Sequence, residues 1–213
     1  NHTATHILQK ALKLTVGDHI NQAGSYVDCE RLRFDFTHYE KLTNEQLAEV
    51  ERRVNEEIFK AEKVTIENMN IEEAKKKGAM ALFSEKYGNE VRVVSVGDYS
   101  IELCGGCHVA SSSDIGLFRI VSEESIGSGI RRIEAVTGLA AYEAFKHSEK
   151  LLEKTASVLK AGNVEMVVEK AEATLNENAS LKKENATLQD RINAYEAKDA
   201  LKDVEMIGDV AFL

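Results

Sequence analysis

The sequence of this 213-residue chain predicts an α+β fold: a two-layer sandwich of antiparallel sheet and helices, followed by a long helical, coiled-coil-like tail. Three observations carry the prediction. Apolar residues recur at helical spacing near the start and again from residue 139 onward, with period-two stretches between. The order helix, hairpin, helix, then several strands is that of helices laid on an antiparallel sheet. Proline is absent, where average usage of about 5% would supply on the order of ten, so helices can run long and turns must use glycine and asparagine.

The first helix is read over residues 2 to about 19, from Ile7, Leu8, Ala11, Leu12 and Val16, with Gly17 as its stop. Residues 25–36 switch to period two and read as a hairpin turning at Asp28-Cys29-Glu30, with Leu32, Phe34 and Phe36 on one side. Thr43 with Gln46 three residues on has capping-box character and opens a helix through Leu47, Val50, Val54 and Ile58 to Phe59. Residues 63–69 read as a strand and 71–77 as a short helix ending at Gly78. Residues 91–96 and 99–103 form a second hairpin around Val96-Gly97-Asp98, while Gly88-Asn89 marks another turn. Strands are expected at 117–121 and 130–136. From Leu139 the helical period returns, breaks at Ala161-Gly162-Asn163, and resumes through Leu175, Leu181, Leu188, Ile192 and Tyr195, with Asn178 and Asn185 interrupting the heptads. Residues 204–213 turn β-like. The organisation read is 1–140 as one domain, 141–203 as a helical linker or coiled coil, and 204–213 as the start of a further, truncated domain.

Two short motifs stand out within this frame. His2-Thr3-Ala4-Thr5-His6 places two imidazoles four residues apart on one helix face, with Thr5 beside them. Cys104-Gly105-Gly106-Cys107-His108 has the same Cys-to-His spacing, but its glycine pair reads as a tight turn. His2, His6, Cys104 and His108 together make three nitrogens and one sulfur, a set suited to tetrahedral Zn(II), one per chain. Either motif alone is weak: helical HxxxH is more often a pair of solvated or core histidines.

The motifs occur in a fixed order with Gly24-Ser25-Tyr26-Val27, Arg31-Leu32-Arg33-Phe34-Asp35-Phe36 and the run from Gly129 to Gly138. In that order the chain resembles the second half of the editing domain of alanyl-tRNA synthetases. Free-standing alanyl-tRNA deacylases and the editing domain of threonyl-tRNA synthetases are relatives. The resemblance covers residues 1 to about 140, and the tail is similar to the linker that follows in the synthetase. It implies a second-additional-domain fold, a metal on the HxxxH and CxxxH ligands, and hydrolysis of tRNA(Ala) mischarged with serine or glycine. An apolar pocket discriminates such small differences by only about 10–200-fold, so a second hydrolytic site is what accuracy requires. Three substrate-binding residues are implied: Thr5, which sets a hydroxyl against serine's own; Gln22, at a family position that contacts substrate; and Arg132, favoured over Arg131 because adjacent strand residues face opposite sides. Thr5 has an ordinary alternative, a back-bond to the carbonyl four residues earlier. No catalytic residue is assigned. One departure matters: the family has threonine where this chain has Cys107, so a second thiol beside Cys104 can compete for the metal or oxidise with it.

Composition limits the partners. The net charge is −9, and both parts are acidic, with 10 Lys/Arg against 14 Asp/Glu in residues 141–213 and 17 against 22 before them. Phosphate binding draws on Lys and Arg, so contact with the tRNA(Ala) acceptor end is expected only at local clusters such as Arg119 and Arg131-Arg132, with most affinity supplied by the rest of the synthetase chain. Lys75-Lys76-Lys77 reads as a solvated helix end, and His19, His38 and His147 as surface residues. Three cysteines, two within one motif, point to a reducing, cytoplasmic location. No run of apolar residues is long enough for a membrane span, and no leader pattern is visible. Two other readings stay open: a structural zinc and dimerisation module, with a homodimer through the tail, and a free-standing trans-editing deacylase. The deacylase is disfavoured by the tail and by the expected lack of an upstream glycine-rich segment.

Overall fold

A computed structural model describes residues 1–80, 88–200, 205–207 and 210–212. The chain divides into two compact units, Asn1–His147 and Ser148–Leu213. In the first, the elements are α1 (His2–Val16), β1 (Gln22–Val27), β2 (Leu32–Thr37), α2 (Asn44–Phe59), β3 (Val64–Asn70), α3 (Ile71–Lys76), β4 (Glu90–Val96), β5 (Ser100–Leu103), a 3-10 turn (Ser112–Ile115), β6 (Phe118–Gly127) and β7 (Ile130–Thr137), after which α4 (Gly138–Leu159) begins.

Among the described residues the named strands of this unit pair antiparallel, and they form two sheets rather than one. One has the order β1-β2-β7-β6 and the other β3-β4-β5. The reason lies in α1. Its first three turns are buried on every side, with Thr3, Ala4, Thr5, His6, Ile7, Leu8, Gln9, Ala11 and Leu12 all inaccessible. A helix buried all round needs cover on more than one face, and a single sheet supplies one. The main core accordingly takes Ile7, Leu8 and Leu12 from α1, Phe34 and Phe36 from β2, Val50 and Val54 from α2, Val94 and Val96 from β4, Phe118 from β6 and Ile133 from β7. Each such side chain contributes about 1.5–3 kcal/mol on leaving water.

Local chemistry fixes the boundaries. Thr43 and Gln46 form the reciprocal capping box that opens α2. Asp28 Oδ1 accepts from the backbone N–H groups of Glu30 and Arg31, both at 2.8 Å, which sets the β1–β2 turn. β6 outruns its apolar pattern, continuing through the polar stretch 122–127, because β7 pairs with it as far as Gly127↔Ile130.

In the second unit, α4 ends at Leu159, Lys160 takes φ 54°, and the Asn163 side chain accepts from Met166 N before α5 (Val167–Ala200) starts. Leu175, Leu181, Leu188, Ile192 and Tyr195 on α5 are exposed. β8 (Glu205–Ile207) pairs antiparallel with β9 (Val210–Phe212). Residues 201–203 of the expected linker and residues 204, 208, 209 and 213 of the expected β-like end lie outside the described residues. Among the described residues no helix is long and apolar enough to cross a membrane.

Candidate metal centre

The start of α1 and the loop leaving β5 meet at one point. Asn1 pins the helix there: its Nδ2 donates to Asp28 O at 2.8 Å and its Oδ1 accepts from Thr137 Oγ1 at 2.8 Å. His2 and His6 leave this end of α1. Residues 104–109 carry no regular structure and bend at Gly106, bringing Cys104 and His108 to the same point. The ligand atoms of His2, His6, Cys104 and His108 all lie within 4.8 Å of one another. His2 Nε2 and His108 Nε2 each stand 3.4 Å from Cys104 Sγ. Bonds of about 2.0–2.1 Å to nitrogen and about 2.3 Å to sulfur, set tetrahedrally, imply an N···S separation of roughly 3.5 Å. The donor set fits zinc.

Surrounding residues hold the donors in place. Thr3 Oγ1 lies 3.1 Å from His108 Nδ1 and accepts from Val109 N, which leaves His108 Nε2 turned to the cluster. His6 Nδ1 and Glu102 Oε2 face each other at 3.6 Å, both buried and neither hydrogen-bonded. Two orphaned buried atoms in register are what a carboxylate–histidine–metal arrangement requires, with Glu102 accepting from the imidazole whose other nitrogen binds the metal. Ser100 Oγ donates to Glu102 Oε1 at 2.9 Å. Arg92 Nη1 donates to Cys104 O and Gly106 O at 2.6 and 2.7 Å, tying down the loop. A Cβ on Gly106 would run into the His2 ring, whereas one on Gly105 would meet nothing within 4 Å.

Burial pulls His6 down to about 3 and His108 down to about 4, each helped by the neighbouring imidazoles. Both are neutral around pH 7, the form that donates a lone pair to a metal. Burial also pushes the Cys104 thiol up and lifts Glu102 to about 7.

A cavity of about 740 Å³ opens beside the cluster. His2, His6 and Cys104 line it, with Thr5, Gln22, Gly24 and Arg92; His108 is not among the lining residues. Thr5 both faces the cavity and donates Oγ1 to Asn1 O at 3.2 Å, so its two readings coexist. Arg132 does not line this cavity. On the sheet face away from α1, its Nε and Nη2 donate to both carboxylate oxygens of Asp35 at 2.7 and 2.9 Å. Arg131 faces the other side and pairs with Glu123.

The remaining sequence candidates fall elsewhere. His19 is exposed and His38 half-buried, and they pair with each other, Nε2 to Nδ1 at 2.9 Å. Lys75 and Lys77 bridge to Glu72 and Glu67. Thr3, Arg92 and Glu102 carry no spacing signature. Period two around Cys104 nonetheless points Glu102 inward with Ser100, and an acid at an inward strand position is the one sequence signal that marks it.

Residues 91–134 match the model of the threonyl and alanyl tRNA synthetase second additional domain. Over 92% of its length the chain is 57% identical to an alanine–tRNA ligase of Lysinibacillus sphaericus, and over its full length 52% identical to that of Halalkalibacterium halodurans. It is also 52% identical over 98% of its length to the alanine–tRNA ligase of Streptococcus pneumoniae. The chain spans 22–24% of the length of these relatives.

Proposed function

We propose that this chain, which corresponds to one region of the alanine–tRNA ligases and contains their second additional domain, is the metal-binding part of a hydrolytic site that removes serine or glycine from mischarged tRNA(Ala). The observation that carries the reading is the position of the donors: three of the four line a cavity that Thr5 and Gln22 also face. One zinc per chain would be held by His2, His6, Cys104 and His108. When bound, it supplies a Lewis acid and an anchor for the substrate's amine or hydroxyl, or a lowered water pKa. The chain's own residues do the rest. Thr5 presents its hydroxyl to the amino-acid side chain, Gln22 offers its amide from the facing strand, and Arg92 keeps the Cys104 loop from moving. Arg132 acts through Asp35, whose carboxylate packs against Gly24 of the cavity wall. The tRNA(Ala) acceptor end would enter from the open side, with the rest of the ligase supplying most of the affinity, in the cytoplasm.

A second reading has its own support, since four converging donors can also close a purely structural site while the exposed stripe of α5 joins two copies. Cobalt substitution separates them. Under the editing reading, the visible bands of the Co(II) protein shift when a non-hydrolysable seryl-adenosine analogue is added. A spectrum indifferent to saturating analogue points to the closed structural site.

A further inference from the structure

Cys107 has no part in the four-donor cluster, yet it stands three residues from the sulfur on which that cluster depends. We infer that Cys104 and Cys107 form an oxidisable pair whose disulfide excludes the metal, so that the centre releases its ion on oxidation; this rests on the metal reading above. Cys107 is exposed and Cys104 half-buried, both as free thiols. The chain bends at Gly106 between them, and a disulfide needs their Cα atoms to close to about 4.4–6.8 Å, a separation that four residues reach when they fold into a tight turn. The loop is folded back on the sulfur, with Gly106 N donating to Cys104 Sγ at 3.4 Å. Arg92 Nη1 donates to the carbonyls of Cys104 and Gly106 and leaves both cysteine side chains out of that contact. Gly105 has open space around it and can absorb the closure. The third cysteine, Cys29, sits in the β1–β2 turn and takes no part in this loop.

An accessible thiol next to a resolving one is the arrangement of redox-sensing cysteines. With a peroxide as oxidant, the Cys107 sulfur attacks one peroxide oxygen, giving a sulfenic acid and one water. The Cys104 sulfur then attacks the sulfenic sulfur, forming the S–S bond and expelling hydroxide. Each cysteine sulfur gives up one electron and the peroxide takes two. With its sulfur tied up in the disulfide, Cys104 would no longer offer a thiolate donor, and a metal held by His2, His6, Cys104 and His108 would lose its one sulfur ligand.

The test uses the zinc-loaded chain and hydrogen peroxide. Released zinc is followed with a chromophoric chelator, and the protein by intact mass and peptide mapping. The expected result is one zinc released per Cys104–Cys107 disulfide, a loss of 2 Da, reversal by dithiothreitol with added zinc, and release slowed about tenfold or more in Cys107→Ser but unchanged in Cys29→Ser. Equal release rates in Cys107→Ser and the parent would overturn the inference, as would overoxidation of Cys107 with no disulfide. The metal-free protein is oxidised in parallel. If the untreated chain holds no zinc while the disulfide still forms, the metal reading fails and the pairing stands.

Discussion

Replacing Gly106 with alanine should cost the metal centre one of its imidazoles, while the same change at Gly105 should leave it intact. A Cβ on Gly106 falls within the van der Waals envelope of the His2 ring, on Nδ1 and Cε1, and one on Gly105 has nothing within 4 Å. His2 cannot yield in place, because its other nitrogen is held 3.4 Å from Cys104 Sγ and its ring lies among those of His6 and His108 at centroid distances of 5.2 and 4.4 Å. A structural zinc is worth about 10–16 kcal/mol, so one ligand of four is worth roughly 3 kcal/mol, or about 100-fold in Kd. Competition titration against a chromophoric chelator should therefore find zinc bound about 100-fold more weakly by Gly106→Ala and within about twofold of the parent by Gly105→Ala. Equal losses in the two variants, or an unchanged Kd in Gly106→Ala, would refute the packing argument.

Three further outcomes follow from the same geometry. Cys104→Ala should weaken zinc about 100-fold or more in the same titration and Cys107→Ala should leave it within about twofold; the reverse result would move the sulfur ligand to Cys107. Glu102→Gln keeps the side-chain volume but weakens the acceptor facing His6 Nδ1, and should weaken zinc about 10–100-fold in the same titration; no change would mean that the two orphaned atoms are not coupled to the metal. Sedimentation should give a dimer for the whole chain and a monomer once residues 148–213 are removed, because Leu181, Leu188 and Tyr195 repeat at heptad spacing on an exposed face. A monomer in both cases would end the homodimer reading.

The donor set was legible because it is local twice over. HxxxH on a helix and CxxxH across a glycine turn each bring two ligands together by spacing alone, and only the joining of the halves needed the fold. Glu102, Thr3 and Arg92 were not legible because each reaches its partner through tertiary packing: Glu102 meets His6 across 96 residues of sequence, Thr3 meets His108 across 105. Arg132 shows the limit from the other side. Strand alternation correctly separated it from Arg131, but period two gives no sign of which face the cavity occupies, and the partner waiting for Arg132 was Asp35 on the neighbouring strand. The split into two sheets had the same cause. Apolar spacing places α1 on a core, yet its burial on all sides is visible only once Thr3, Thr5, His6 and Gln9 are seen to be inaccessible. The tail, where the helical period returns and proline is absent, forms two helices that break between Leu159 and Val167, where Ala161-Gly162-Asn163 interrupts the apolar stripe.

The proposed function requires that the metal donors serve hydrolysis of the mischarged ester. The measurement that tests it most directly is single-turnover deacylation of seryl-tRNA(Ala) by the whole ligase carrying Cys104→Ala, with alanine charging assayed on the same preparation. Deacylation should slow by about 100-fold or more while charging is unchanged, as expected when a group needed only at the hydrolytic site is removed. Deacylation at the parent rate by a variant shown to lack zinc would contradict it.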